Sequence, residues 1–290
     1  MKEQKRGLIS LVILSLLFCA LSVVFADIGP KDQLTVRLDN PPDEPYYLDL
    51  LWQPGEETYS SELSQEELAS LDPELLAEFE RAVPEGWAPA TLGGVPLPMW
   101  GDLVGQQQGD QRRHIFGYVG LPETCRILLV TESGKVILTE PFTRRALQSS
   151  VTLDCASGDL YQPPAALALG VVFLVTLTGT LLLEGVLLLL FGFPLRANWK
   201  AFVLTNLITQ IGLALTVQLT LLTAGTINAH LIRIPAELVI LVFETLVYRR
   251  FLTGQSVRRR TAYGICANLV SWVAGFFLLG PLYDFMVSLC

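Results

Sequence analysis

The chain has 290 residues, of which 51% are apolar, and a mean hydropathy of +0.46. That is too apolar for an ordinary water-soluble domain. Its formal charge of −8 is split unevenly: 23 acidic against 9 basic residues from Asp27 to Gln162, then 4 against 8 from Pro163 to Cys290. Nucleic acid and anionic membrane surfaces would repel so acidic a segment, which excludes a nucleic-acid partner.

Residues 1–26 read as a signal peptide, with Lys2, Lys5 and Arg6 ahead of an apolar run from Leu8 to Leu21. Val24-Phe25-Ala26 ends it with small residues where a signal peptidase reads, so cleavage is expected before Asp27. Without cleavage the segment stays as an anchor and the following domain is still outside. Phe18 ahead of Cys19 excludes a lipoprotein signal, which needs a small residue there.

Residues 27–162 read as one small, mainly β (α+β) extracytoplasmic domain. Gln33 to Asn40 alternates Leu34, Val36 and Leu38 with polar neighbours, as a half-buried strand does, and Tyr46 to Trp52 is a second strand. Ser64 with Glu67 makes a capping box that opens a helix, Asp72-Pro73 restarts it, and Leu68, Leu71, Leu75, Leu76 and Phe79 form a core stripe at helical spacing along the stretch. Residues 84–114, rich in Gly, Pro and Gln, read as loop. Thr124 to Thr131 and Lys135 to Glu140 form a hairpin, with Ser150 to Cys155 as the third strand of a meander. That meander sets Cys125 and Cys155 roughly 20 Å apart, against the ~7 Å limit of a disulfide, so geometry opposes the bridge that an oxidising exterior would permit. His114 is the domain's single histidine, and the series Glu56, Glu57, Glu62, Glu66 and Glu67 lacks the spacing of a calcium loop. No metal or cofactor is implied.

Residues 163–290 hold four apolar stretches long enough to cross a bilayer, at about 165–193, 201–224, 231–248 and 261–289. Arg196 and Lys200 lie after the first; Arg249, Arg250, Arg258, Arg259 and Arg260 lie after the third. Loops 194–200 and 249–260 are therefore expected in the cytoplasm, with residues 27–162 and the C-terminus outside. The helices read as two duplicated hairpins. Glu184, Phe191 and Asn206-x-x-Thr209 recur in order as Glu244, Phe251 and Asn268-x-x-Ser271. With Gln210 and Glu237 these residues form an expected intramembrane polar cluster, roughly 7–15 Å from the cytoplasmic ends where depth can be counted. Ala267, Ser271 and Gly275, four residues apart, give the last helix a small-residue packing face.

The start Ala26-Asp27-Ile28-Gly29-Pro30-Lys31, the turn Pro42-Asp43-Glu44-Pro45-Tyr46-Tyr47 and the membrane residues Glu184, Glu237, Glu244, Tyr248, Asn206 and Asn268 resemble a set of uncharacterised exported membrane proteins of Firmicutes with a C-terminal four-helix module. Gln210 stands where that resemblance leads one to expect proline. It implies an architecture and no activity. Three functions remain open. One is a cell-envelope binding, sensing or accessory protein, with lipids, an envelope protein or a second copy as partners. The second is an intramembrane enzyme acting on lipid or peptide through paired glutamates, and the third a small ion-coupled transporter subunit. Neither a His-Glu-x-x-His zinc motif nor an ATP-binding loop occurs.

Overall fold

The computed structural model describes residues 29–55, 61, 63–109 and 111–290. The expected signal peptide, Cys19, and Glu56, Glu57 and Glu62 lie outside them. The chain divides into two compact units, one of Pro30–Ala165 and one of Ala166–Leu289.

The first unit is built on two sheets. One has six strands: β1 (Gln33–Asp39), β4 (Trp100–Gly101), β5 (Gln106–Gln108), β6 (Gln111–Gly117), β10 (Gln148–Asp154) and β11 (Leu160–Tyr161), ordered β11-β10-β1-β6-β4 with β5 also on β6. The other has five: β2 (Tyr46–Trp52), β3 (Ala88–Pro89), β7 (Thr124–Thr131), β8 (Val136–Leu138) and β9 (Phe142–Thr143), ordered β3-β2-β7-β8 with β9 on β7. Leu34, Val36 and Leu38 from β1 share a core with Leu48 and Leu50 from β2 and Ile127 and Leu129 from β7, so the sheets pack face to face. On the far side of β2, Tyr47 and Leu51 pack with Leu75 and Phe79. Those two come from α2 (Pro73–Ala82), which follows α1 (Gln65–Ser70). Being covered on both faces explains why β2 is almost continuously apolar.

The helix starts are as the sequence indicates. Ser64 N donates to Glu67 Oε2 (2.8 Å) and Glu67 N to Ser64 Oγ (3.2 Å), while Asp72 accepts from Glu74 N (2.8 Å) and Leu75 N (3.1 Å). Other expectations are corrected. The stretch 84–114 is not all loop: it holds β3, the short helix α3 (Ala90–Gly93), β4, β5 and the first half of β6. Gln111-Arg112-Arg113 lacks the apolar alternation that announces a strand, yet the backbone of β1 holds it in register from Gln33↔Gly117 to Leu38↔Arg112. The third strand does not extend the β7–β8 hairpin. It is β10, which joins the other sheet parallel to β1, from Gln33↔Gln148 to Asp39↔Asp154. Cys125 and Cys155 are both buried free thiols at the ends of strands in different sheets, so no bridge joins them. Burial pushes the Cys125 thiol up to about 12.

Two buried polar groups hold this unit from within. Asp49, on the helix-side face of β2, accepts from Leu50 N (2.8 Å) and Leu92 N (3.0 Å) and from Thr91 N (3.0 Å). It thereby caps α3 from a neighbouring strand. Burial raises its carboxyl to about 6. His114 Nδ1 lies 2.7 Å from the Asp102 carbonyl and Nε2 3.0 Å from the Tyr46 hydroxyl. A carbonyl only accepts, so Nδ1 carries the proton and Nε2 accepts from Tyr46. Burial keeps this imidazole neutral, lowering it to about 4.

The second unit comprises α4 (Ala165–Leu190), α5 (Leu195–Leu213), a π-helical turn (Ala214–Gln218), α6 (Leu219–Phe251) and α7 (Val257–Ser288). Of these, α4 and α7 are long and apolar enough to cross a membrane by themselves, where the sequence suggested four. The polar groups explain the difference. Arg196, Asn198 and Lys200 lie in α5, while Arg233, Glu237 and Glu244 lie in α6. Helix α6 breaks at Gly225, whose φ of 77° belongs to the left-handed region that glycine tolerates, and it contains Pro235.

Asp49→Ala would strand three backbone N–H groups, and a loss of about 3 kcal/mol is expected, read as faster amide exchange at Leu50, Thr91 and Leu92 in the full chain. The two buried groups also give opposite pH dependences. His114 binds its proton only near pH 4 when folded, against about 6.5 unfolded. The stability this gives is complete above pH 6.5 and lost on acidification. Asp49 binds its proton near pH 6 when folded, against about 3.9 unfolded, so it gains stability on acidification. Between pH 6.5 and 4, stability measured by the same exchange should therefore fall more steeply in Asp49→Ala than in the wild type. In His114→Phe it should fall less steeply.

Candidate functional site

Thr176, Thr180 and Glu184 are four residues apart on α4 and so share one helix face. That face borders a cavity of about 400 Å³, whose other polar lining comes from Thr209 and Gln210 on α5, Gln218 at the end of the π turn, Arg233, Glu237 and Glu244 on α6, and Asn268 and Ser271 on α7. Valine and leucine side chains complete it, among them Val172, Leu213, Leu278 and Leu282.

The two central carboxyls are held by donors that cross between helices. Thr209 Oγ1 donates to Glu244 Oε1 (2.6 Å), and Ser271 Oγ donates to Glu184 Oε1 (2.9 Å). Asn268 Nδ2 adds a donor to Glu244 Oε2 (3.0 Å). Glu184 Oε2 is buried and accepts no hydrogen bond among the described residues, and the whole residue is 1% exposed. Farther along α6, Arg233 donates to Glu237 Oε1 through Nε (3.0 Å) and Nη2 (2.8 Å), and to the Gly275 carbonyl through Nη1 (2.7 Å). A methyl group at Gly275 would overlap that guanidinium. Arg233 is the one basic side chain among the described residues lining the cavity, and it is paired with Glu237, which leaves Glu184 and Glu244 without a cation.

Glu184, Gln210, Glu237, Glu244, Asn268 and Ser271 of the expected cluster do border one cavity. Asn206 lies outside the cavity lining but beside Glu184, within hydrogen-bonding reach of its carboxyl; its Nδ2 donates to the Tyr248 hydroxyl (2.9 Å) and the Phe202 carbonyl (3.1 Å). The small-residue face of α7 serves three ends. Ala267 packs with Phe202, Tyr248 and Tyr263, Ser271 donates to Glu184, and Gly275 receives Arg233. Arg233 was not named in the expected cluster, although its four-residue spacing from Glu237 is that of a helical ion pair. Gln218, Thr176 and Thr180 gave no signal, because isolated hydroxyls and amides are common in apolar helices.

Removing one member of the Arg233–Glu237 pair strands a buried charge, whereas removing both does not. Arg233→Met should therefore cost about 3 kcal/mol, and Arg233→Met/Glu237→Met distinctly less. Melting of the detergent-solubilised protein checks this.

No family model, characterised protein or solved structure matches the chain, so its own geometry carries the functional reading.

Proposed function

We infer that this is a multi-pass membrane protein whose helical half binds a ligand in the cavity among its helices, as part of an envelope binding, sensing or accessory role. The observation that carries the reading is Glu184: a cavity-lining residue 1% exposed whose carboxyl has no cation paired with it among the described residues. A carboxylate in hydrocarbon costs at least about 2–3 kcal/mol. Glue alone is a poor account of it, since interhelical hydrogen bonds contribute about 0.6 kcal/mol on average.

In this reading all four helical segments span the bilayer, the two self-sufficient ones flanking the two polar ones. The basic helix ends that flank the α4–α5 and α6–α7 connections, which the sequence reads as loops 194–200 and 249–260, lie on the cytoplasmic side and the β unit outside. Two features support a common side for the loops. Asn198 Oδ1 accepts from Thr253 N (2.7 Å), and Gln255 Nε2 donates to the Gly192 carbonyl (2.8 Å), so the α4–α5 and α6–α7 connections are tied together. Duplication of the hairpins is supported by exchange across the pair. Each hydroxyl, Thr209 or Ser271, donates to the glutamate of the other hairpin. A second exchange accompanies it: Gly185 faces Phe202, and at the corresponding positions Thr245 faces Gly264, with the small and large partners swapped. A second reading, a transporter subunit, is favoured by the break at Gly225 and the π turn, because interrupted helices commonly border transport sites.

Native mass spectrometry of the gently purified protein beside Glu184→Gln/Glu244→Gln tests the reading. A mass adduct carried by the wild type and missing from the folded double variant is the expected result. Identical bare masses would return the carboxyls to a packing role.

A further inference from the structure

We propose that the ligand of this cavity is a lipophilic organic cation, an ammonium or guanidinium head on an apolar body, with the head held at Glu184 and Glu244. The proposal rests on the cavity being a binding site and adds the chemistry of what it takes.

Three properties of the lining converge. The first is charge. Three carboxyls face one guanidinium, and that guanidinium is committed to Glu237 and to the Gly275 carbonyl. The hydroxyl and amide groups around Glu184 and Glu244 are neutral, so they orient these carboxyls without compensating them.

The second is the sense of the open hydrogen-bonding positions. Thr176 Oγ1 lies 3.1 Å from the Phe173 carbonyl, to which it donates, and it accepts from Gln218. Gln218 therefore turns its Nε2 to Thr176 (3.0 Å), and its Oε1 is left buried without a donor. Among the described lining residues, the buried side-chain atoms that lack a well-formed hydrogen bond, Glu184 Oε2 and Gln218 Oε1, are both acceptors. A ligand that satisfies them must bring N–H or O–H donors. A carboxylate or phosphate would add acceptors and negative charge where both are already in excess. Charge-assisted N–H donors are the strongest complement to an open carboxylate oxygen.

The third is shape. About 400 Å³ lies within the range of roughly 300–1,000 Å³ that small-molecule sites occupy and far exceeds a bare metal ion. No group of three or more His, Cys, Asp or Glu residues among the described residues has the geometry of a metal site. Val172, Leu213, Leu278 and Leu282 offer the apolar body a dry wall.

The test uses the full chain in lipid nanodiscs, with empty nanodiscs as the partition control, and three probes of one shape: 4-phenylbutylammonium, 4-phenylbutanol and 4-phenylbutyrate. Binding is read by calorimetric titration. Two variants accompany the wild type. Glu184→Gln keeps an oxygen for Ser271 and nearly the same volume. Gly179→Leu places a side chain at a cavity-lining position where a Cβ meets nothing within 4 Å, so it fills space without a clash. The ammonium should bind the wild type roughly tenfold or more above the alcohol, fall to the alcohol's level in Glu184→Gln, and be lost in Gly179→Leu. If the alcohol or the carboxylate binds as well as the ammonium, and Gly179→Leu abolishes it, the cation assignment is overturned while the binding cavity stands. If no probe binds above the nanodisc control, or binding survives in Gly179→Leu, both fall.

Discussion

Everything in the helical unit is organised around the cost of keeping carboxyls away from water. An isolated ionised carboxylate cannot be left in an apolar interior. Each of the three must therefore be met by donors from another turn or another helix. Glu237 takes the guanidinium one turn away, and Glu244 takes a hydroxyl from α5 and an amide from α7. Glu184 takes a hydroxyl from α7. These bonds fix the rotation of every helix about its own axis, because a turn of one residue would carry each donor about 100° away. The apolar contacts could not do this alone, since leucine faces slide past one another with little penalty.

The same constraint accounts for the irregular backbone. A regular helix through residues 214–218 would rotate Gln218 away from Thr176; the π turn inserts the extra residue that brings it round. Gly275 is small because a guanidinium lies where its side chain would be. Gly264 is small because the Thr245 backbone approaches it. Gly275 thus answers to a polar neighbour, and Gly264 to the close approach of two helix backbones that small residues allow.

Where local chemistry alone decides, the sequence was readable. The capping box at Ser64, the Asp72 cap, and strands β1 and β2 follow from alternation and side-chain reach. Glutamates and asparagines stand out against leucine and valine, so most of the polar cluster could be named from residue type. What could not be read depends on partners distant in the chain. Gln111-Arg112-Arg113 becomes strand because β1 offers it a ladder. The strand from Gln148 leaves its sequence neighbours to lie parallel to β1, and no local pattern specifies which sheet receives it. Arg233, near the start of the span 231–248, gave no sign of belonging to the cluster, because an arginine close to a helix end ordinarily reaches out to water. Its burial depends on Gly275 being 42 residues away in sequence and adjacent in space.

The parallel pairing of β1 with β10 has a temporal meaning. Asn40 and Asp154 meet across 114 residues of chain, and β1 separates β10 from β6 in the finished sheet. During synthesis β1 emerges early and β10 almost last, so the six-stranded sheet cannot close until nearly the whole unit has been made. Contacts of such long reach fold slowly, and in the interval β1 exposes one unpaired edge. A chain ending anywhere before Gln148 would keep that edge open, a template on which a strand of another chain could pair.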